Sequence, residues 1–165
     1  MKRFNSKNDL KNFLDEMYTK YNTNSFIEKD PIQIPHKYSY KEDIEISAFL
    51  TSIISWGNRK MIINNASKMM KIMGESPYDF IQNYSEKNIN RISFVHRTFN
   101  SDDLIFFIKS LNNIFSKYDS LENLFELKFE ENNIFKSISR FRNVFFSIDH
   151  PKRTLKHISN PIKKS

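Results

Sequence analysis

The sequence predicts an all-α protein, a compact bundle of about seven or eight helices. Three observations carry that expectation. Apolar residues recur with a period near 3.6 along most of the 165 residues. Side chains that cap helix N-termini stand ahead of several of these stripes. Only 2 glycines and 5 prolines are present, which leaves too little turn chemistry for a sandwich or barrel. With 16 Phe and 7 Tyr the chain is also too aromatic for a disordered one.

The first helix is expected from about Lys7 to Tyr21, where Leu10, Phe13, Leu14, Met17, Tyr18 and Tyr21 fall on one face. Ser6, with Asp9 three residues on, marks its start. The second should run from about Tyr40 to Ser55. Ser39 and Glu42 have capping-box spacing, and Glu42, Asp43 and Glu45 suit the positive end of the helix. Its stripe of Ile46, Phe49, Leu50, Ile53 and Ile54, widened by Ile44 and Ala48, places it deep in the core. A third helix follows the Trp56-Gly57 break and runs to about Met73, with Ile62, Ala66, Met69, Met70 and Met73 inward and Gly74 as terminator.

Ser76-Pro77 restarts a helix as N-cap and first turn. The stretch from Tyr78 to Asn90 reads as one or two short helices. A longer one is expected from Ser101 to about Lys117, cored by Leu104, Phe107, Ile108, Leu111, Ile114 and Phe115. Asp119 is expected to cap a short segment to about Leu127. The last helix spans roughly Glu130 to Ser147, with Ile134, Ile138, Phe141 and Phe145 inward and Arg140 and Arg142 on the flanks. His150-Pro151 ends it. No strand is expected: Ile32-Gln33-Ile34-Pro35 alternates, but Pro31 and Pro35 mark an extended linker.

Charge is unevenly placed. From His150 to Ser165 the chain carries Lys152, Arg153, Lys156, Lys163 and Lys164 and no acid, which supplies most of a formal net charge of +7. This divides the chain into a nearly neutral helical domain, residues 1–149, and a basic C-terminal segment, residues 150–165. Such asymmetry suits a polyanion partner, and equally a solvated tail. No cysteine is present, so no disulfide or thiolate metal site can form. His36, His96, His150 and His157 lack metal-ligand spacing, no Gly-rich phosphate loop occurs, and no serine is singled out as a nucleophile. No catalytic residue, cofactor or metal is assigned. The basic start Met1-Lys2-Arg3-Phe4-Asn5 leads into no apolar run, and nothing approaches 18 uncharged apolar residues. A cytoplasmic protein without membrane partners is expected.

The stretch Ser55-Trp56-Gly57-Asn58-Arg59-Lys60 stands out. It holds the only tryptophan, and it puts two cations where a helix begins. A helix N-terminus carries partial positive charge, so Arg59 and Lys60 are unfavourable there unless an anion shares the site. Gly57, Asn58, Arg59 and Lys60 are therefore candidate phosphate contacts, and Trp56 beside them is a candidate nucleic-acid contact. Phe94-Val95-His96-Arg97-Thr98-Phe99 adds His96 and Arg97 in a short loop, with Phe94 and Phe99 also readable as plain core residues. Lys152, Arg153, Lys156 and His157, among Ser/Thr hydroxyls, suit contacts to a nucleic-acid backbone.

Five blocks in order carry a resemblance. They are Asp43-Ile44-Glu45-Ile46 with Phe49 and Ile54; Trp56-Gly57-Asn58-Arg59; His96-Arg97-Thr98-Phe99; Tyr118-Asp119-Ser120-Leu121-Glu122; and His150-Pro151-Lys152-Arg153-Thr154 through His157-Ile158-Ser159-Asn160-Pro161. Over about Asp30 to Ser165 the chain resembles a bacterial family of uncharacterised proteins, domain of unknown function 2400. Members look like distant relatives of the helix-hairpin-helix base-excision DNA glycosylases. The segment Phe49 to Met73 is similar to the place where a glycosylase helix ends, a loop faces DNA and a second helix begins. Such enzymes flip a base out and cut its sugar bond with a positioned carboxylate and sometimes a lysine. The resemblance implies that the basic aromatic helix, the hairpin and the catalytic Asp lie past Ser165, so this chain is expected to be the N-terminal part, and no catalytic residue carries over.

The leading expectation is thus an all-α scaffold associated with double-stranded DNA through phosphate contacts. The alternative is a helical protein-interaction module without nucleic-acid binding, in which the methionines of the third helix and the acids Glu122, Glu126, Glu130 and Glu131 matter most. A third is an intact enzyme in a longer natural form, with this chain as its scaffold.

Overall fold

A computed structural model describes residues 4, 6–126 and 134–161, and the all-α expectation holds in them. Helix α1, Lys7–Tyr21, starts where Ser6 accepts the main-chain N–H of Asp9. None of its residues is buried, and Leu10, Leu14, Tyr18 and Tyr21 face solvent. A short α2, Asn24–Ile27, follows. The expected extended linker is instead two 3-10 turns, Pro31–Gln33 and Pro35–Lys37. Each proline stands at a first position, where its fixed φ starts a turn and its missing N–H costs nothing. Asp30 caps the first by accepting the N–H of Ile32, and Ile34 between them is fully buried.

Helix α3, Lys41–Ile53, is capped by Tyr40 with no side-chain hydrogen bond, so the expected Ser39–Glu42 box does not form. Two of its acids serve other helices instead. Asp43 accepts from Ser76 Oγ at 3.0 Å and from the N–H of Tyr78 at 2.8 Å. Glu45 accepts the N–H groups of Leu121 and Glu122 at 2.7 and 3.1 Å. These charge-assisted bonds satisfy N-terminal donors of α5, Pro77–Asn83, and α8, Leu121–Phe125. They lock both helices to α3.

Helix α4, Arg59–Met73, buries Ile62, Ala66, Met69, Met70 and Met73 as predicted. A short α6, Glu86–Ile89, precedes a feature the sequence did not predict. Val95–His96 (β1) and Phe99–Asn100 (β2) pair antiparallel across a two-residue turn at Arg97-Thr98. Strands of two residues are too short to write a period-2 pattern. Buried Phe94 and Phe99 draw the two arms back onto the core.

Helix α7, Ser101–Tyr118, is the central element, opened by a reciprocal capping box between Asn100 and Asp103. Asp119 does not cap the next helix. It ends α7 in the left-handed region, φ 62°, and Ser120 caps α8. Helix α9 is described from Ile134 to Phe145; the expected start at Glu130, and Glu131, lie outside the described residues. Phe141 and Phe145 are buried, but Ile134 and Ile138 are exposed rather than inward. The C-terminal end of α9 is what docks, because buried Ser110 of α7 donates to the Phe145 carbonyl at 2.6 Å. Aromatic rings fill the space between these helices. Phe107 lies 4.7 Å from Phe145, 5.2 Å from Phe99 and 5.9 Å from Phe49, centroid to centroid. No helix among the described residues is long and apolar enough to cross a membrane.

Candidate nucleic-acid interface

Helix α3 ends at Ile53 with Ile54 as its C-cap, and Gly57 turns the chain with φ 109°, a conformation that a residue with a side chain rarely adopts. Asn58 then caps α4 by accepting the N–H of Met61 at 3.1 Å. Among the described residues, the first-turn N–H groups of Arg59 and Lys60 meet no hydrogen-bond partner. The Arg59 side chain is 60% exposed, with Nε 3.9 Å from Asp30. A pair so exposed contributes under about 1 kcal/mol, so the cation stays available.

The hairpin folds over this junction. Arg97 holds φ 55°, which costs a non-glycine residue about 1 kcal/mol. The strain is offset where its guanidinium lies 4.4 Å from the centroid of Trp56, a cation–π contact of about 0.5–1 kcal/mol on an exposed ring. The guanidinium also covers Gly57: a Cβ there would sit 2.7 Å from Nη1. His96, 1% exposed, meets Trp56 edge-on at 5.9 Å. The Asn65 amide stands 2.8 Å from His96 Nδ1 and donates to it, which puts the ring proton of the neutral form on Nε2. Nε2 is buried and makes no well-aligned hydrogen bond. Burial holds the pKa of His96 below the ordinary imidazole value, the main chain of Trp56 pulls the other way, and the charge of Arg97 lowers it further.

The third part of the site is the 3-10 segment Lys152–His157, which packs on α7 through buried Thr154. Arg153 donates from Nη2 to the carbonyl of Thr98 at 2.9 Å, which ties the segment to the hairpin turn. Its Nη1 lies 3.3 Å from Asp103. Asp103 is fully buried and serves as a hub: it accepts from the N–H of Asn100, from Thr154 Oγ1 at 3.1 Å, and pairs with Arg153. His157 Nε2 is 3.3 Å from the same carboxylate, but too poorly aligned for a hydrogen bond. Burial lowers the pKa of His157, and Asp103 opposes that shift.

The structure therefore gathers Trp56, Gly57, His96 and Arg97 into one contact set and joins Arg153 to it through Thr98. Lys60, Lys152 and Lys156 are exposed at the ends of these segments. Asn58 is occupied as a cap. The side chains of His96 and His157 are almost fully buried, so neither can touch a ligand at the surface as the sequence reading placed them; they support Trp56 and Asp103 instead. Sequence reasoning missed Asp103, Asn65 and Thr98. The Asn100-x-x-Asp103 spacing was a legible signal for the first; Asn65 and Thr98 have no local signature. Exposed cations and an aromatic ring flank the buried carboxylate of Asp103, with the partly buried Asp30 3.9 Å from Arg59 and Asp102 exposed at the start of α7; cations outnumber acids there, an arrangement suited to holding an anion.

A family model described as protein of unknown function (DUF2400) matches residues 30–165. No curated protein and no solved structure matches the chain.

Proposed function

The chain belongs to the DUF2400 family, and we propose that its basic face binds the phosphate backbone of double-stranded DNA. One observation carries the proposal. Three segments far apart in sequence, at Trp56–Lys60, at Arg97-Thr98 and at Lys152–Lys156, are joined by direct contacts and leave Arg59, Lys60, Arg97, Lys152 and Lys156 exposed. Each phosphate neutralised releases counterions, so log K should fall with log[salt] with a slope of about −0.9 per contact. Four or five contacts give weak, sequence-indifferent binding, with Kd on the order of 10⁻⁴ to 10⁻⁶ M at physiological salt. Fluorescence anisotropy of a labelled duplex against a salt series tests this. Tighter binding at 50 mM than at 200 mM salt supports it, and no binding at low salt removes it.

The finer reading is a scaffold part of a DNA-glycosylase-like protein. What supports it is the break between α3 and α4, where the chain turns at Gly57 and presents cations at a helix start. No residue of this chain is given a catalytic role. A second reading, a protein-interaction module, is favoured by the exposed apolar stripe of α1, with Leu14 54% and Tyr18 68% exposed. The methionines of α4 divide: Met69, Met70 and Met73 are buried core, while Met61 is 47% exposed.

A further inference from the structure

Trp56 is the part of the basic face that phosphate binding leaves unused. It is the only aromatic side chain in the three joined segments, Trp56–Lys60, Arg97-Thr98 and Lys152–Lys156, and the only tryptophan of the chain. It is 38% exposed. Single apolar side chains at a surface are ordinary, but this one is held there by its neighbours. His96, almost fully buried, fills the core side and meets the indole edge-on. Arg97 lies over the ring at 4.4 Å from its centroid, on a backbone in the left-handed region. Gly57 leaves the space in which that guanidinium lies. The result is a fixed layer of indole and guanidinium, both open to solvent, with exposed Arg59 and Lys60 following directly in the chain.

A phosphate backbone has no use for such a layer. Cations neutralise phosphates as well without an indole beneath them. A planar π surface is matched by the face of a base. In closed duplex those faces are covered by the neighbouring base pairs, and reaching one requires unstacking. A single strand offers them without that cost and keeps the phosphates that the surrounding cations attract. The guanidinium suits this partner as well as the indole does, since bases also stack on arginine planes.

We propose that Trp56 and Arg97 form a stacking platform for an unpaired base, so that this face takes single-stranded DNA in preference to closed duplex. The inference rests on the reading of the face as a phosphate-binding surface and adds which form of DNA it holds best. Two effects widen the preference as salt rises. Stacking is not screened, and each phosphate contact to a single strand carries a slope of about −0.7 against about −0.9 for duplex.

The test compares three ligands on the full chain: an oligo-dT strand, a duplex of the same length, and a strand of the same length made of abasic sites, which carries the phosphates without the bases. Anisotropy of labelled strands gives the affinities, and the emission of Trp56 reads stacking directly. At physiological salt oligo-dT should bind at least about fivefold tighter than the abasic strand and tighter than the duplex, and it alone should quench Trp56. Trp56→Ala should bring oligo-dT down to the affinity of the abasic strand. Trp56→Phe keeps a ring and should retain most of the preference, and Arg97→Lys, which keeps the charge and loses the plane, should reduce it. Thermal melts show that the variants are folded, and the wild-type comparison stands without them. Equal affinity for oligo-dT and the abasic strand, duplex bound as tightly as oligo-dT, no quenching, or an undiminished preference in folded Trp56→Ala overturns the inference. If it falls while the duplex and the abasic strand still bind with a salt slope, the phosphate reading stands; if no strand binds at low salt, both fall together.

Discussion

The guanidinium of Arg97 lies 4.4 Å from the ring centroid of Trp56, and it can lie there because the next residue is a glycine. Gly57 supplies two things at once: a φ of 109° that turns the chain from α3 into α4, and the empty space that Arg97 occupies. Gly57→Ala should therefore cost about 1–3 kcal/mol. It should also displace Arg97 from the ring. Chemical denaturation reads the first effect, and the fluorescence of Trp56, the only tryptophan, reads the second. Unchanged fluorescence with unchanged stability would mean that the stack is not held by this glycine.

Asp103 joins α7 to the hairpin and to the basic segment. Asp103→Ala removes one half of the capping box, leaves Thr154 Oγ1 and the N–H of Asn100 without their acceptor, and takes from Arg153 its ion-pair partner. A loss on the order of 3 kcal/mol is expected. Hydrogen exchange should rise first across residues 152–158, because the segment loses its anchor there. Uniform protection in the variant would contradict the hub.

Phe107→Ala should cost about 3–5 kcal/mol. The ring is fully buried and packs on Phe49, Phe99 and Phe145. Phe135→Ala, at a position 46% exposed, should cost under about 1 kcal/mol. Urea midpoints of the two variants check the contrast.

Acidification should destabilise the fold through His96 and His157. Burial lowers the pKa of both, so the folded state holds each imidazole neutral. Below about pH 6.5 the unfolded chain takes up protons that the folded chain refuses. Stability is then fully present above that pH and is lost as pH falls toward the folded values, by at most about 1.4 kcal/mol per pH unit for each ring. His96→Gln should flatten the fall between pH 7.5 and 5.5, measured by urea unfolding. An equally steep fall in the variant would remove His96 from the account.

The order and position of the helices were largely legible in the sequence because stripes and caps are local. Ser6 starts α1 and Ser76-Pro77 starts α5 where their residue types place them, whereas Asn58, read as a phosphate contact, is the residue that caps α4. What each acid does was not legible. Asp43 and Glu45 look like dipole partners for their own helix, yet they cap α5 and α8, separated from them by 33 to 77 residues. The stripe of α1 has the right period but no buried face, and periodicity cannot say whether a partner is present. At the site, the cations were found by their unusual placement at a helix start. The stacking of Arg97 on Trp56 and the anchoring of Arg153 on Thr98 depend on how the chain closes in space, which spacing alone does not encode.

The central claim is that the joined basic face holds phosphates, and the salt dependence of duplex binding tests it most directly. The wild-type chain should show a slope of log K against log[salt] near −4, and Arg59→Gln with Lys60→Gln and Arg97→Gln should flatten that slope by about 0.9 for each charge removed. Absence of binding at low salt, or a slope indifferent to the loss of all three charges in a folded variant, would contradict it.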